Sequence, residues 1–334
     1  MSLTGSTTAE IETPTVAMVH EAADRITGLV RETPLLNAPS LDRLAGRRIL
    51  VKAESLQVTG SFKLRGASNR IGVIPSTRRG GGVVAYSSGN HAQGVAAAAA
   101  RLGLPAIIVM PADAPGVKVE ATRAWGAEIR PYDRHNESRE EIGQALAHER
   151  DATLVRPYDD PYIVAGQGTV GLEIGRQAAA FGVRPDAVIC SCSGGGLVSG
   201  TSLAIKDAWP DCAVYASEPA GFDDIARSLA ADQRVSNIGD AMSFCDALLA
   251  PEPGEVTFPV MRRTLAGGLV VTDDEVANAM RLAFTHLKLV IEPGGAVALA
   301  AALSGKLPGT VDSVVCVASG GNVDAALFAK VIER

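Results

Sequence analysis

Lys63 is the residue of this chain best placed for covalent chemistry. It lies in Ser55-Leu-Gln-Val-Thr-Gly-Ser-Phe-Lys-Leu-Arg-Gly-Ala67, between a Thr-Gly-Ser turn and an apolar run that reads as a helix. With Ser61 as N-cap, Lys63 falls in the first helical turn, where the helix dipole disfavours an ammonium charge. A lysine with a lowered pKa is a neutral amine nucleophile, the species that Schiff-base formation requires. Taken alone, Lys63 reads first as a solvated lysine at a helix start, so its partners decide.

Three other segments supply candidates. Ser193-Gly-Gly-Gly-Leu197 joins an apolar strand to a helix, where converging backbone N–H groups and the dipole suit a phosphate. A plain tight turn is the alternative. Ser87-Ser-Gly-Asn-His91 holds the same strand-to-helix position with two hydroxyls and a carboxamide, a set that suits a carboxylate. A polar cap made by Asn90 or His91 is the alternative there. Ser319-Gly-Gly-Asn322 closes the last strand and offers a hydroxyl to a heteroaromatic nitrogen. Together the segments outline a phosphorylated cofactor, an amine nucleophile and an acidic substrate.

The elements that must position these loops follow from pattern. Apolar runs at Ile49–Ala53, Gly82–Tyr86, Ala106–Met110, Ala187–Cys192, Cys212–Ser217 and Ser313–Ala318 read as strands. Helical stretches alternate with them at His91–Arg101, Val117–Trp125, Ser138–Glu149, Leu172–Ala180 and Asp273–Leu287. Apolar strands separated by amphipathic helices predict an α/β fold with parallel sheets covered on both faces. Residues 82–159 form one compact alternation, a small mobile domain. Residues 1–81 and 160–334 form a large cofactor-binding domain, with 1 to about 14 as a flexible tail.

Composition narrows the function classes. Net charge is −6 with no basic block, and aromatic residues are 4%, which together argue against nucleic acid. No run of 18 uncharged apolar residues exists, so no membrane span is expected and the chain reads as cytoplasmic. Cys190, Cys192, Cys212, Cys245 and Cys316 lack metal or redox spacing and read as buried thiols. His20, His135, His148 and His286 have no partner at metal spacing, and Lys52 and Lys118 lack the Thr-Gly-Ser-Phe context of Lys63.

Five segments occur in one order: Thr59-Gly-Ser-Phe-Lys-Leu-Arg-Gly66, Ser87-Ser-Gly-Asn-His91, Ser193-Gly-Gly-Gly196, Ile291-Glu-Pro-Gly-Gly-Ala296 and Ser319-Gly-Gly-Asn322. In this the chain resembles the fold type II pyridoxal phosphate enzymes, in the branch of serine/threonine dehydratases, serine racemase and hydroxyaspartate dehydratases. The resemblance extends from about residue 30 to 330. It implies a tryptophan synthase β-like fold, with two doubly wound parallel sheets in two domains and the active site between them.

By the same resemblance Lys63 carries pyridoxal 5'-phosphate as a Schiff base and then takes the Cα proton. Phe62 packs on the cofactor ring and Asn90 bonds its ring hydroxyl. Ser193, Gly194, Gly195, Gly196 and Leu197 cradle the phosphate, which protonates the leaving hydroxyl, and Ser319 faces the pyridine nitrogen. Ser88 matches the acid/base serine on the face opposite Lys63, and Ser87, Asn90 and His91 hold the substrate carboxylate with it.

Glu218, Asp224 and the carbonyl of Phe222 match a divalent-cation site, with hard oxygen ligands that suit Mg²⁺, Ca²⁺ or Mn²⁺; solvated carboxylates at a helix start are the alternative. Arg139 stands where relatives carry an arginine able to bind a second carboxylate, or else lies on a helix surface beside Glu140.

The expected activity is dehydration and deamination of L-threonine or L-serine by a homodimer. Action on 3-hydroxyaspartate through Arg139, and racemisation of serine or aspartate, are the alternatives on the same scaffold. A nicotinamide-dependent oxidoreductase lacks its fingerprint spacing; a non-catalytic cofactor-binding protein is the remaining class.

Overall fold

The computed structural model describes residues 12–114, 116–239 and 241–333, so most of the expected tail lies outside the described residues. Ten strands are seen among them: β1 Leu35–Asn37, β2 Arg48–Ala53, β3 Val83–Tyr86, β4 Ala106–Pro111, β5 Glu128–Tyr132, β6 Thr153–Leu154, β7 Ala187–Ser191, β8 Ala213–Pro219, β9 Gly267–Val271 and β10 Ser313–Ala318. They form a six-stranded sheet of order β1-β2-β10-β7-β8-β9 and a four-stranded sheet of order β5-β4-β3-β6. Only the β1–β2 pair is antiparallel; every other pair is parallel.

Both faces of the larger sheet are covered, and β10 shows why its sequence is apolar from Val314 to Ala318. Val314, Cys316 and Ala318 pack toward the Pro293–Leu303 helix. Val315 and Val317 pack on the other side with Val170 and Ile174 of the Pro161–Ala180 helix and Val198 of the Gly196–Ala208 helix. In the smaller sheet Val83, Ala85 and Ile108 pack with Val95 of the Asn90–Leu102 helix. The same cluster takes in Leu64, Ala67 and Ile71 of the Lys63–Gly72 helix. That helix leaves the larger sheet at the end of β2 yet buries its apolar stripe against the smaller one. It therefore sits where the two layers meet.

The expected strands are present, with ends shifted by a residue or two. The helix expected at Leu172–Ala180 is only the end of Pro161–Ala180, which Asp160 caps by accepting from the Tyr162 and Ile163 N–H groups. Ser61 does not cap the lysine helix. It is drawn into a bridge with Gly320, its hydroxyl is buried without a partner, and the helix begins at Lys63 with no side-chain cap.

A buried ion cluster fixes that helix. Arg65, fully buried, donates from Nε and Nη2 to both oxygens of Glu54, each at 2.8 Å, and from Nη1 and Nη2 to Glu173 at 2.6 and 2.8 Å. Lys52 shares Glu173 and also donates to the Thr33 carbonyl at 2.6 Å. Burial opposes the Glu54 charge, but the guanidinium outweighs it and holds the carboxyl below its usual range. Two cations face two anions, so no net charge is buried. In Arg65→Leu, Glu54 and Glu173 would face Lys52 alone, and stability should fall by about 3–5 kcal/mol. Urea unfolding followed by circular dichroism measures this; a loss under about 1 kcal/mol would mean the fork contributes little beyond an ordinary surface contact.

Candidate active site

Ligands in open α/β sheets sit at the carboxyl ends of strands. Here β2, β3, β7 and β10 all deliver their following loops to one cavity of about 440 Å³ between the two sheets. The helices beginning at Lys63, Asn90, Gly196 and Pro293 start at its wall, so four positive dipole ends face one space. That arrangement favours an anionic ligand.

Lys63 lines the cavity, with Nζ donating to the Pro157 carbonyl at 2.8 Å and lying 5.1 Å from the centre of the Phe62 ring. Burial lowers its pKa to about 8, and the nearby Glu292 charge offsets only part of this. The amine is therefore still largely protonated near neutral pH, but it holds a far larger neutral fraction than an ordinary lysine and is mostly neutral above about pH 8.

The loop after β7 is shaped for a bulky anion. Gly195 has φ of +93°, a left-handed conformation suited to glycine. A Cβ on Gly194 would overlap the Tyr158 ring, and one on Gly195 would meet Met261 and Thr257. Thr257 Oγ1 donates to the Gly194 carbonyl at 2.6 Å and Ser193 Oγ accepts from the Ala250 N–H at 3.1 Å, which holds the loop from behind. No side chain caps the Gly196–Ala208 helix, so its first N–H groups are left for a ligand. Ser319, buried at the end of β10, lines the same space.

Ser87, Ser88, Asn90 and His91 come in from the smaller sheet. His91 is buried and its Nε2 donates to the Val155 carbonyl at 2.9 Å; burial, and then the Lys63 charge, lower its pKa to about 3. The ring is thus neutral and committed to the backbone. Asn90 donates to Glu292 Oε1 at 2.6 Å and accepts from Asn322 at 2.7 Å. Burial pushes the Glu292 carboxyl up to about 7.

The rim carries three cations, each paired with an acid. Arg139 lies over the Tyr86 ring at 5.6 Å and pairs with Glu140 at 2.7 Å. Lys118 pairs with Asp246 at 2.9 Å, and Arg134 with Asp113 at 2.7 Å. Lys118, set aside on sequence grounds, therefore belongs to the cavity wall. Glu292 and Tyr158 are also wall residues that no role was assigned to from sequence. Glu292 had one legible signal, a carboxylate set directly before a helix with no polar side chain in it.

Glu218, Phe222 and Asp224 lie outside the cavity. Glu218 accepts from the Ile225 and Ala226 N–H groups at 2.8 and 2.9 Å, while Asp224 Oδ2 is buried without a partner. Burial raises the two carboxyls to about 8 and about 6. Among the described residues no group of three or more His, Cys, Asp or Glu side chains is arranged to hold a metal. Among them, too, no helix is long and apolar enough to cross a membrane, and all five cysteines are free and buried.

The family model for pyridoxal-phosphate dependent enzymes matches residues 26–320. The chain belongs to this family. It has the type II fold, and its activity lies among the ammonia-lyases and racemases of that family. It is similar to an L-threo-3-hydroxyaspartate ammonia-lyase of Pseudomonas, 40% identical over 94% of this chain and 97% of the relative. Among solved structures it is similar to maize serine racemase, with TM-score 0.90 and 37% identity over 96% and 98% of the two chains. The threonine deaminase of T.th. gives TM-score 0.87 and 42% identity over 93% and 99%. The uncapped helix start at the glycine loop and the readily deprotonated lysine in the same cavity fit the phosphate and the aldehyde carbon of the family's cofactor.

Aldehyde addition to the apo-chain, trapped with borohydride and mapped by peptide, should load Lys63 with a midpoint near the pKa of about 8. Ordinary lysines load nearer ~10.4. A midpoint for Lys63 in that ordinary range would refute the desolvated amine.

Proposed function

We propose that the chain is an ammonia-lyase that dehydrates and deaminates a β-hydroxy-α-amino acid, with 3-hydroxyaspartate foremost and serine and threonine behind it. The observation that carries the substrate choice is Arg139 in the same cavity as Lys63 and Ser88, on a rim that also bears Lys118 and Arg134. A second carboxylate on the substrate has a bidentate donor available there. The similarity to an L-threo-3-hydroxyaspartate ammonia-lyase supports the same choice.

Pyridoxal phosphate, when bound, supplies the electron sink for charge left at Cα. The chain's own residues do the rest. The N–H groups of Ser193 to Leu197 would hold the phosphate, Phe62 would pack on the ring, and Ser319 would offer the ring nitrogen a neutral hydroxyl in place of a carboxylate. Lys63, as a neutral amine, accepts the Cα proton. Ser87, Ser88 and the first N–H groups of the Asn90–Leu102 helix hold the α-carboxylate, and Arg139 holds the β-carboxylate. Elimination of the β-hydroxyl and hydrolysis then give a 2-oxo acid and ammonia.

The test is 2-oxo acid release from serine, threonine and the 3-hydroxyaspartate diastereomers. Hydroxyaspartate should show the highest kcat/KM. Arg139→Ala should lower that value about 30- to 150-fold, the equivalent of about 2–3 kcal/mol for a charge-assisted contact, and leave serine turnover nearly unchanged. Equal losses on both substrates would return Arg139 to a structural role. Racemisation is the second reading, favoured by Ser88 and Lys63 lining one cavity. Recovery of amino acid of inverted hand without ammonia would select it.

A divalent cation held by Glu218, Asp224 and the Phe222 carbonyl is also proposed, supported by the unpartnered Asp224 Oδ2. Mg²⁺ at saturating concentration should raise the thermal midpoint by several degrees, and Asp224→Asn should abolish that rise. An equal rise in native and variant protein would place the ion elsewhere.

A further inference from the structure

Three side chains beside Lys63 form a relay whose direction is set by one backbone carbonyl. Asn322 Nδ2 donates to the Thr59 carbonyl at 2.8 Å and to Asn90 Oδ1 at 2.7 Å. A carbonyl only accepts, so the Asn322 amide must turn its NH₂ toward Thr59. Its second hydrogen then points at Asn90, which must answer with its oxygen. The Asn90 NH₂ is left facing Glu292, where it donates to Oε1 at 2.6 Å. Donor and acceptor assignments that are ordinarily interchangeable for an amide are therefore fixed along the whole relay. One Asn90 hydrogen remains, with no protein partner among the described residues, on a side chain that lines the cavity.

The backbone is cut away to admit this relay. A Cβ on Gly60 would overlap Asn322 Oδ1, and a Cβ on Gly320 would overlap Glu292 Oε1. The two glycines thus make room for these side-chain oxygens. Asn90 begins a helix of the smaller layer, whereas Glu292 and Asn322 follow elements of the larger one.

We propose that Glu292 and Asn322 are positioning residues that lock Asn90 as a hydrogen-bond donor toward the cavity, so that the ring oxygen of a bound pyridoxal phosphate is held as an anion. The inference rests on the cofactor reading above, with Asn90 at the ring oxygen. A reversed Asn90 would present an oxygen to that anion and repel it. The charged groups around the relay are Lys63, Lys118 and Asp246.

The visible absorption of the purified holoenzyme, titrated with pH, reads this directly. Asn322→Asp removes the anchoring donor, and Glu292→Leu removes the acceptor. In each, the protonation midpoint of the bound chromophore should rise by about one pH unit, a tenfold change in proton affinity, or become visible where the native protein shows none. Glu292→Gln keeps an acceptor and should restore the native midpoint. Spectra that superimpose on native at every pH in both variants, with cofactor bound stoichiometrically, would overturn the relay alone. A native protein with no chromophore on Lys63 after borohydride reduction and peptide mapping would overturn the cofactor reading and the relay with it. An upward shift that persists in Glu292→Gln would show a packing effect and count against the proposal.

Discussion

The fork of Arg65 between Glu54 and Glu173 is the constraint from which the rest of the site hangs. Glu54 directly follows β2, Arg65 belongs to the lysine helix, and Glu173 lies on the Pro161–Ala180 helix, so one guanidinium joins three elements. Lys63 precedes Arg65 by two residues, and a helix turns about 200° over that distance. The residue that anchors the helix inside the protein and the residue that faces the cleft therefore point to nearly opposite sides. Planar geometry matters here, because only a forked donor serves two carboxylates at once. With the helix held, the lysine amine is placed against the Pro157 carbonyl without needing a cap of its own.

Electrostatic contrast then defines the space around that amine. Four helix starts make the cavity favourable to anions, while burial pulls both ionisable groups nearest the amine toward neutrality. His91 is neutral by desolvation and Glu292 is close to its own midpoint at neutral pH. A lysine in such a setting keeps its proton weakly, and the strongest attraction left in the cavity is toward an incoming negative group.

Much of this was legible in sequence because it is local. A strand followed by a glycine turn followed by a helix is a short-range pattern, and the loops at Ser87, Ser193 and Ser319 all follow it. The parallel sheets were legible for the same reason, since strands covered on both faces are apolar at most positions. What was not legible depends on long separations. Glu173 stands 108 residues beyond Arg65, and Asp246 stands 128 beyond Lys118, so neither pairing leaves a trace in spacing. The Ser61 cap failed by the same mechanism, because a bridge to Gly320 outweighed a local preference. The edge strand β5, mostly exposed and interrupted by Glu128 and Arg130, carries no apolar run to announce it.

The rim pairs carry a consequence for traffic into the cleft. Arg139, Arg134 and Lys118 are not bare charges; each already holds a carboxylate from Glu140, Asp113 or Asp246. Exposed pairs of this kind are held by about 1 kcal/mol or less. An anion arriving at the mouth displaces a resident acid, as in an ion exchanger, and breaking the resident pair costs little of what the new contact returns. A neutral side chain has nothing to trade. The resident acids thus act as placeholders for an incoming carboxylate, held by contacts that salt weakens.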